Sequence, residues 1–130
     1  MDNLTEQITP HFSLRELQCR CCGRMGIDQD FLNRLEDLRT AYGKPMIINS
    51  GYRCPDYNDR ISSTGRTGPH TVGAVDVRIS GAEAHRLLHL AMIVGFTGIG
   101  IKQHGPMAGR FIHLDNLTTH DKPRPRVWTY

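Results

Sequence analysis

The sequence predicts a single α+β domain, with two main helices packed on one mostly antiparallel sheet. Two long segments have helical periodicity and each ends at a glycine, whereas four short apolar segments have the length of buried strands. Only a short loop containing Gly and Pro separates the last two strands, so they are expected to pair antiparallel. The chain has 130 residues with neither an internal repeat nor an interdomain linker, so the domain is predicted to span residues 1–130.

The predicted helices begin at recognisable capping residues. Ser13 precedes a short apolar segment, which indicates a short capped helix. Asp28 is a good N-cap for the first main helix, residues 29–42, whose apolar side chains form one stripe. The second main helix follows residues 80–83 (SGAE), a sequence typical of a capping box, and its apolar stripe ends before Gly95.

The four predicted strands are short and apolar. They cover residues 46–48, 75–79, 99–102 and 111–114. Residues 50–73, in contrast, are rich in Gly, Ser, Thr, Pro and Asp and are predicted to form a long irregular loop. Because such loops are uncommon in compact domains, this one is expected to be either functional or disordered.

Composition excludes two classes of partner. The net charge is +3, a mild basic bias, and no basic run typical of a nucleic-acid-binding arm is present, so no nucleic-acid partner is predicted. No apolar segment approaches the ~20 residues of a membrane span, so no membrane insertion is predicted. Near the C-terminus, Lys122, Arg124 and Arg126 are predicted to lie in a solvated tail, whereas Trp128 and Tyr130 are expected to pack on the domain.

The first ten residues lack a basic start followed by an apolar run, so the sequence predicts synthesis in the cytoplasm without a signal peptide. A substrate outside the membrane would then require another protein to release this one.

Four cysteines are present, at positions 19, 21, 22 and 54. In a reducing compartment they are expected to be free thiols or metal ligands rather than disulfides. Cys19-x-x-Cys22 has the spacing of half a structural zinc site, but the other half would rest on Cys54 alone. Free or incidentally bridged thiols are therefore the favoured interpretation, with a structural metal site as the alternative.

Polar residues interrupt two of the predicted buried strands. Asp76 lies within Ala-Val-Asp-Val and His113 within Phe-Ile-His-Leu, and a buried carboxylate or imidazole needs a partner. With His70, at the end of the Gly-rich loop, they form a plausible set of three zinc ligands. On the pattern alone, histidines satisfied within the core or loop explain the sequence at least as well.

Asp115 lies two residues after His113, so both side chains are expected on the same face of the strand. A carboxylate there can act as a general base beside a metal-bound water, or it can orient a metal ligand.

Four motifs occur in an order that resembles the zinc D-Ala-D-Ala carboxypeptidase family. They are NSGYRCP (49–55), GPHTVGAVDV (68–77), GFTGIG (95–100) and RFIHLD (110–115). The opening HFSL and the closing RPRVW also resemble the small single-domain branch of that family, which is often found in phages. The resemblance therefore covers nearly the whole chain.

This resemblance implies a fold like that of the D-Ala-D-Ala carboxypeptidases and the hedgehog signalling domain. It also implies zinc as cofactor, His70, Asp76 and His113 as its ligands, and hydrolysis of an amide bond in peptidoglycan stem peptides. Arg53 resembles the family arginine that binds and polarises substrate, since a guanidinium can hold a carboxylate or stabilise an oxyanion.

Two positions differ from the family pattern. The step from His70 to Asp76 is six residues where the family usually has seven, and Arg110 occupies a position that is acidic in several members. Asp115 is predicted to replace that acid as the catalytic base. If Asp115 instead orients a ligand, the base is unidentified.

The sequence thus predicts a zinc metallopeptidase, favoured as a phage lysis enzyme (endolysin). Cleavage as a DD-carboxypeptidase and cleavage as an L-Ala-D-Glu endopeptidase both remain open. The alternative is a non-catalytic module that keeps the fold and binds cell-wall peptides. A nucleic-acid module would require a complete Cys/His quartet, and the sequence does not provide one.

Overall fold

The computed structural model describes residues 6–119 and 121–130. Within these residues there are four α-helices: α1 (Leu14–Leu17), α2 (Gln29–Tyr42), α3 (Pro55–Ile61) and α4 (Gly81–Val94). The strands are β1 (Gln7–Thr9), β2 (Phe12–Ser13), β3 (Ile47–Ser50), β4 (Ala74–Arg78), β5 (Gly98–Lys102), β6 (Phe111–Asp115) and β7 (Arg126–Thr129). Short 3₁₀ turns cover Gly65–Thr67, Pro69–Thr71 and Met107–Gly109.

The main sheet has the strand order β3-β4-β6-β5-β7. Its first three pairs are antiparallel, and the β5–β7 pair is parallel. The predicted α+β fold with a mostly antiparallel sheet is therefore confirmed, as is the antiparallel pairing of β5 with β6. A separate hairpin joins β1 and β2.

The core lies on one face of the sheet. Strand residues such as Val75, Val77 and Leu114 are buried in one cluster with the apolar stripes of α2 and α4. Because side chains alternate along a strand, the neighbouring positions of β4 and β6 point to the opposite face. That opposite face carries the polar side chains Asp76, His113 and Asp115, all of which are buried.

Sequence-based caps are confirmed for two helices and wrong for one. Asp28 accepts a hydrogen bond from the Phe31 backbone N–H at 2.8 Å, and α1 has a reciprocal capping box between Ser13 and Glu16. Ser80 precedes α4 but caps no N–H group. The carboxylate of Glu83, in the first turn of α4, instead accepts hydrogen bonds from Tyr42 and Lys44, which draw it toward the end of α2.

The prediction of a long irregular loop at residues 50–73 is wrong in part, because α3 lies within it. Cys54 accepts a hydrogen bond from the Tyr57 N–H through its sulfur, and Pro55 occupies the first helical position. Proline is favoured there because its missing N–H is not needed and its φ suits the helix.

The prediction of a solvated tail is also wrong for Arg124. The tail after β6 returns to the sheet as β7, and the Arg124 side chain is only 8% exposed. Trp128 packs against His113 as expected, at a ring-centroid distance of 5.1 Å, whereas Tyr130 contacts Phe111 at 5.0 Å but remains 53% exposed. In the described residues, the structure has no helix that is both long enough and apolar enough to cross a membrane.

Candidate metal centre

Three predicted ligands meet at the centre of the polar sheet face. Asp76 on β4 lies directly opposite His113 on β6 in the antiparallel register. His70 reaches them from the 3₁₀ turn that precedes β4. One potential ligand atom from each residue lies within 4.8 Å of the other two, and all three residues are buried.

The distances between these ligand atoms suit a shared cation. His70 Nε2 is 3.3 Å from Asp76 Oδ1, and His113 Nδ1 is 3.0 Å from the same oxygen. Two imidazole nitrogens and one carboxylate are a donor set that catalytic zinc uses in proteins. The six-residue step from His70 to Asp76 therefore does not keep the ligand atoms apart.

Each histidine is oriented by a bond at its other ring nitrogen. His70 Nδ1 donates to the Gly51 carbonyl oxygen at 2.7 Å, which leaves Nε2 free to face Asp76. His113 Nε2 donates to Asp115 Oδ2 at 2.7 Å, which leaves Nδ1 free in the same way. Such outer partners fix the tautomer and the ring plane of a metal-binding histidine.

Asp115 is completely buried and both of its oxygens are occupied. Arg124 donates to Oδ1 through Nε at 2.7 Å and to Oδ2 through Nη2 at 2.8 Å, in the two-bond geometry that guanidinium and carboxylate favour. Oδ2 also accepts the bond from His113. Of the two roles open for Asp115, this geometry favours orienting His113 over accepting a proton from water.

The electrostatics keep both carboxylates ionised. Burial raises the pKa of Asp76, but its close contacts with the His113 and His70 rings outweigh this and hold the pKa well below the usual range. Burial likewise raises the pKa of Asp115, and the bonds from Arg124 and His113 more than reverse it. Burial lowers the pKa of His113, yet its bonds to Asp115 and Asp76 raise the net pKa. A cation at this centre would therefore meet an anionic carboxylate.

The structure places Arg53, the predicted substrate-binding residue, beside Asp76. Its Nε donates to Ser50 Oγ at 3.2 Å and its Nη1 to Asn58 Oδ1 at 3.1 Å. Nη2 is 3.8 Å from Asp76 Oδ2, and the side chain is 17% exposed. Arg53 is thus held from two sides while part of its guanidinium faces an open cleft.

That cleft has a volume of about 610 Å³ and contains all three ligands and Arg53 in its walls. The C-terminal tail contributes Arg124, Arg126, Trp128 and Tyr130, and the segment after α3 contributes residues 62–64. The cleft is therefore rich in positive charge around a central carboxylate.

Comparison of the sequence with models of protein families gives a match to Peptidase M15 over residues 10–115. The chain belongs to the Peptidase M15 family. The matched region contains His70, Asp76, His113, Arg53 and Asp115. No curated protein and no solved structure matches the chain.

M15 peptidases are zinc-dependent, so the family supports the prediction of a metallopeptidase, and the buried His-Asp-His donor set fits that metal. The predicted roles of the individual residues stay predictions. Arg110 donates from Nε to the Gly105 carbonyl at 3.0 Å and lines a different pocket from the ligands. It therefore takes no part in the centre of this M15 peptidase.

The sequence analysis did not identify the two glycines of β5 that lie beside the centre. Gly98 lies opposite Asp115, and Gly100 lies opposite both His113 and Trp128. A Cβ on Gly98 would overlap the Asp115 carboxylate and Arg124, and one on Gly100 would lie 2.5 Å from Trp128 Nε1. These glycines leave the space that Arg124 and Trp128 fill, and the alternation in Gly98-Ile99-Gly100 is the signal that could have indicated it.

The Arg124–Asp115 pair was missed for another reason. Arg124 lies beyond the region that matches the family, in a tail whose composition predicts solvation. Its partner is visible only once β7 is known to run beside β5. The same holds for Asn58, which supports Arg53 from a helix that the sequence did not predict.

The structure also brings three of the four cysteines together. One sulfur each from Cys19, Cys22 and Cys54 lies within 4.8 Å of the other two, and all four cysteines are free thiols. Burial raises the pKa of the Cys19 thiol, but hydrogen bonds from the backbone N–H groups of Cys54, Cys22 and Cys21 outweigh this and lower it to about 7. This cluster is separate from the His70–Asp76–His113 centre.

Proposed function

We propose that this M15 peptidase uses zinc to hydrolyse an amide bond in peptidoglycan stem peptides. The observation that carries the proposal is the convergence of His70, Asp76 and His113 in the wall of an open, cationic cleft. Zinc held there would polarise the scissile carbonyl and lower the pKa of a bound water toward ~7. The rest of the reaction depends on residues around that centre.

Arg53 is the residue we assign to substrate binding. Its guanidinium is fixed by Ser50 and Asn58 and lies beside Asp76, so it can hold a substrate carboxylate or the developing oxyanion without reorganising. Stem peptides carry free carboxylates, which suits the cationic wall of the cleft. A terminal carboxylate near Arg53 would favour carboxypeptidase cleavage, whereas an internal one would favour endopeptidase cleavage.

Asp115 is assigned to holding His113 rather than to proton transfer, because both of its oxygens are occupied inside the protein. Of the described residues that line the cleft, the other carboxylate besides Asp76 is the exposed Asp121. Asp121 is therefore the first side chain to substitute in a search for the general base.

We place the activity in a phage lysis setting, where a second protein releases the enzyme to the cell wall. The support is the likeness of the motifs to the small phage branch of the family. The alternative is a wall-binding module without turnover. One observation favours that alternative: the acidic position three residues before the last histidine is Arg110, and this arginine points away from the centre.

The test is digestion of purified peptidoglycan by the zinc-loaded protein, with mass spectrometry of the released fragments. We expect release that a chelator abolishes, and the fragment masses identify the bond. His113→Ala should abolish release, whereas His89→Ala, on the exposed side of α4, should leave it unchanged. No release from several wall types by folded, zinc-loaded protein would refute the hydrolase and support the binding module.

A further inference from the structure

The cysteine cluster is not used by the proposed reaction. Its three sulfurs come from two segments that are far apart in sequence, the turn at 19–24 and the start of α3 at Cys54. Cys19 and Cys54 are buried, whereas Cys22 is exposed. The fourth cysteine, Cys21, points elsewhere and lies 3.0 Å from Arg60 Nη2.

The turn that carries the first two thiols is closed by its own backbone. Cys19 N–H donates to the Arg24 carbonyl at 2.7 Å, and Gly23 N–H donates to the Cys19 carbonyl at 2.8 Å. Gly23 has φ +77°, a backbone conformation that is unfavourable for residues with a Cβ atom. This closed turn places the Cys19 and Cys22 side chains together, as a pair of metal ligands requires.

The third thiol is brought to this turn by contacts between the two segments. Tyr52 N–H donates to the Leu17 carbonyl at 2.9 Å, and Arg20 Nη2 donates to the Asn49 carbonyl at 2.8 Å. Backbone N–H groups also point at the sulfurs, with Cys54 N 3.4 Å from Cys19 Sγ and Tyr57 N 3.4 Å from Cys54 Sγ. Such N–H groups stabilise the negative charge of a thiolate, which is the form that binds metal.

We propose that Cys19, Cys22 and Cys54 form a second metal site, which holds one zinc ion as thiolates and joins the 19–24 turn to the start of α3. Thiolates are soft ligands that select zinc over the hard divalent cations. Each thiol that binds releases its proton to solvent, and no redox change is involved.

The number of sulfurs favours a metal over a disulfide. A disulfide would join two of the three thiols and leave the third beside it, whereas one tetrahedral ion can bind all three. The site also has a structural consequence for the proposed reaction. Gly51 and Arg53 lie in the chain just before Cys54, and Gly51 provides the carbonyl that orients His70. The metal would therefore stiffen the segment that supports the other centre.

The test is Co²⁺ binding by the full-length His113→Ala protein, in which the first centre has lost a ligand. Thiolate-bound Co²⁺ gives a sulfur-to-metal charge-transfer absorption in the near ultraviolet that imidazole and carboxylate ligands do not give. We expect this band to saturate at one equivalent of Co²⁺ and to be displaced by Zn²⁺. A second substitution in this protein, Cys22→Ser, should abolish the band. The matched control is Cys21→Ser, at the neighbouring exposed cysteine, which should retain the band. No band in folded, reduced protein would overturn the proposal, and loss in both serine variants would overturn the ligand set.

A second measurement does not depend on how the variants fold. The wild-type protein, purified with reductant and zinc, is alkylated with iodoacetamide and its modified residues are identified by mass spectrometry. We expect Cys21 alone to react, with Cys22 becoming reactive after zinc is chelated. Burial cannot explain protection of Cys22, since this residue is exposed. Rapid alkylation of Cys22 with zinc present, or a disulfide within the cluster, would overturn the proposal.

Discussion

The Asp115 side chain accepts hydrogen bonds from both His113 and Arg124 while lying completely out of water. A general base must reach the proton it removes, and an oxygen that already accepts a charge-assisted bond is a weak acceptor for another. The same contacts hold the His113 ring through its Nε2 atom, so that Nδ1 faces Asp76. These contacts favour a role for Asp115 in positioning His113.

Asp115→Asn is expected to weaken metal binding about 10–100-fold, the usual cost of losing an outer partner of a ligand. It should also lower the free energy of unfolding by about 3 kcal/mol, because buried Arg124 loses its counter-charge. Metal titration and urea denaturation measure the two effects. If the variant instead keeps full metal affinity and stability but loses kcat, Asp115 is the base after all.

Arg53→Lys should lower kcat/KM about 100-fold while leaving metal content unchanged. Lysine keeps the charge but cannot bind Ser50 and Asn58 while presenting further N–H groups to the substrate. Steady-state kinetics with a defined stem peptide provide the measurement. Arg78→Lys, at the exposed end of β4, is the control and should behave as wild type. Equal activity in the two variants would remove Arg53 from the substrate site.

At the level of secondary-structure elements, sequence patterns predicted well those helices whose ends are set by contacts within a few residues. The periodic stripe and caps of α2 gave its bounds, Gln29–Tyr42, because capping and amphipathic packing act within a few residues. Helix α3 escaped prediction because it is short and polar, and its cap is a cysteine. Strand β7 was not predicted because it forms only when the C-terminal segment folds back to pair with β5, and no local sequence pattern indicates that pairing.

The β1–β2 hairpin offers a prediction at this level, because one carboxylate on α2 holds it. Glu36 accepts bonds from Thr9 Oγ1 at 2.7 Å and from the His11 backbone N–H at 2.6 Å, with His11 Nδ1 2.9 Å away. Burial raises the pKa of Glu36, but the bonds from His11 and Thr9 reverse this and lower it. A lowered pKa means that the stabilisation is present above the unfolded value of about 4.3 and is lost as pH falls through the folded pKa.

Glu36→Gln should therefore cost about 1–2 kcal/mol of unfolding free energy near neutral pH, and the difference from wild type should shrink at about pH 3. Urea denaturation at both pH values measures this. Asp37→Asn, exposed on the same helix, removes the same charge without these contacts and should have little effect. A cost that stays constant with pH would show that Glu36 contributes by packing rather than by charge.

Over the whole molecule, the candidate metal centre could be predicted because the family resemblance and the interruptions of two apolar strands indicate the same side chains. Asp76 and His113 interrupt buried strands, and their opposition follows from the β4–β6 register. What surrounds them could not be predicted. The Gly51 carbonyl is backbone and carries no sequence signal, and Arg124 reaches Asp115 only through the tail that follows β6.

Because the three ligands come from two strands and a separate turn, metal binding should stabilise the entire fold rather than one segment. At a free metal concentration of 100 times Kd, the gain is about 2.7 kcal/mol, which corresponds to a rise in Tm of about 10 °C for a domain of this size. Scanning calorimetry of zinc-loaded and chelated protein measures the rise. His113→Ala should lose most of the rise in Tm that zinc produces at this centre. Cys22→Ser should lose only the rise in Tm that zinc produces at the cysteine cluster. If His113→Ala retained the full rise, the stabilising metal would lie elsewhere, and His113 would no longer be assigned as a ligand.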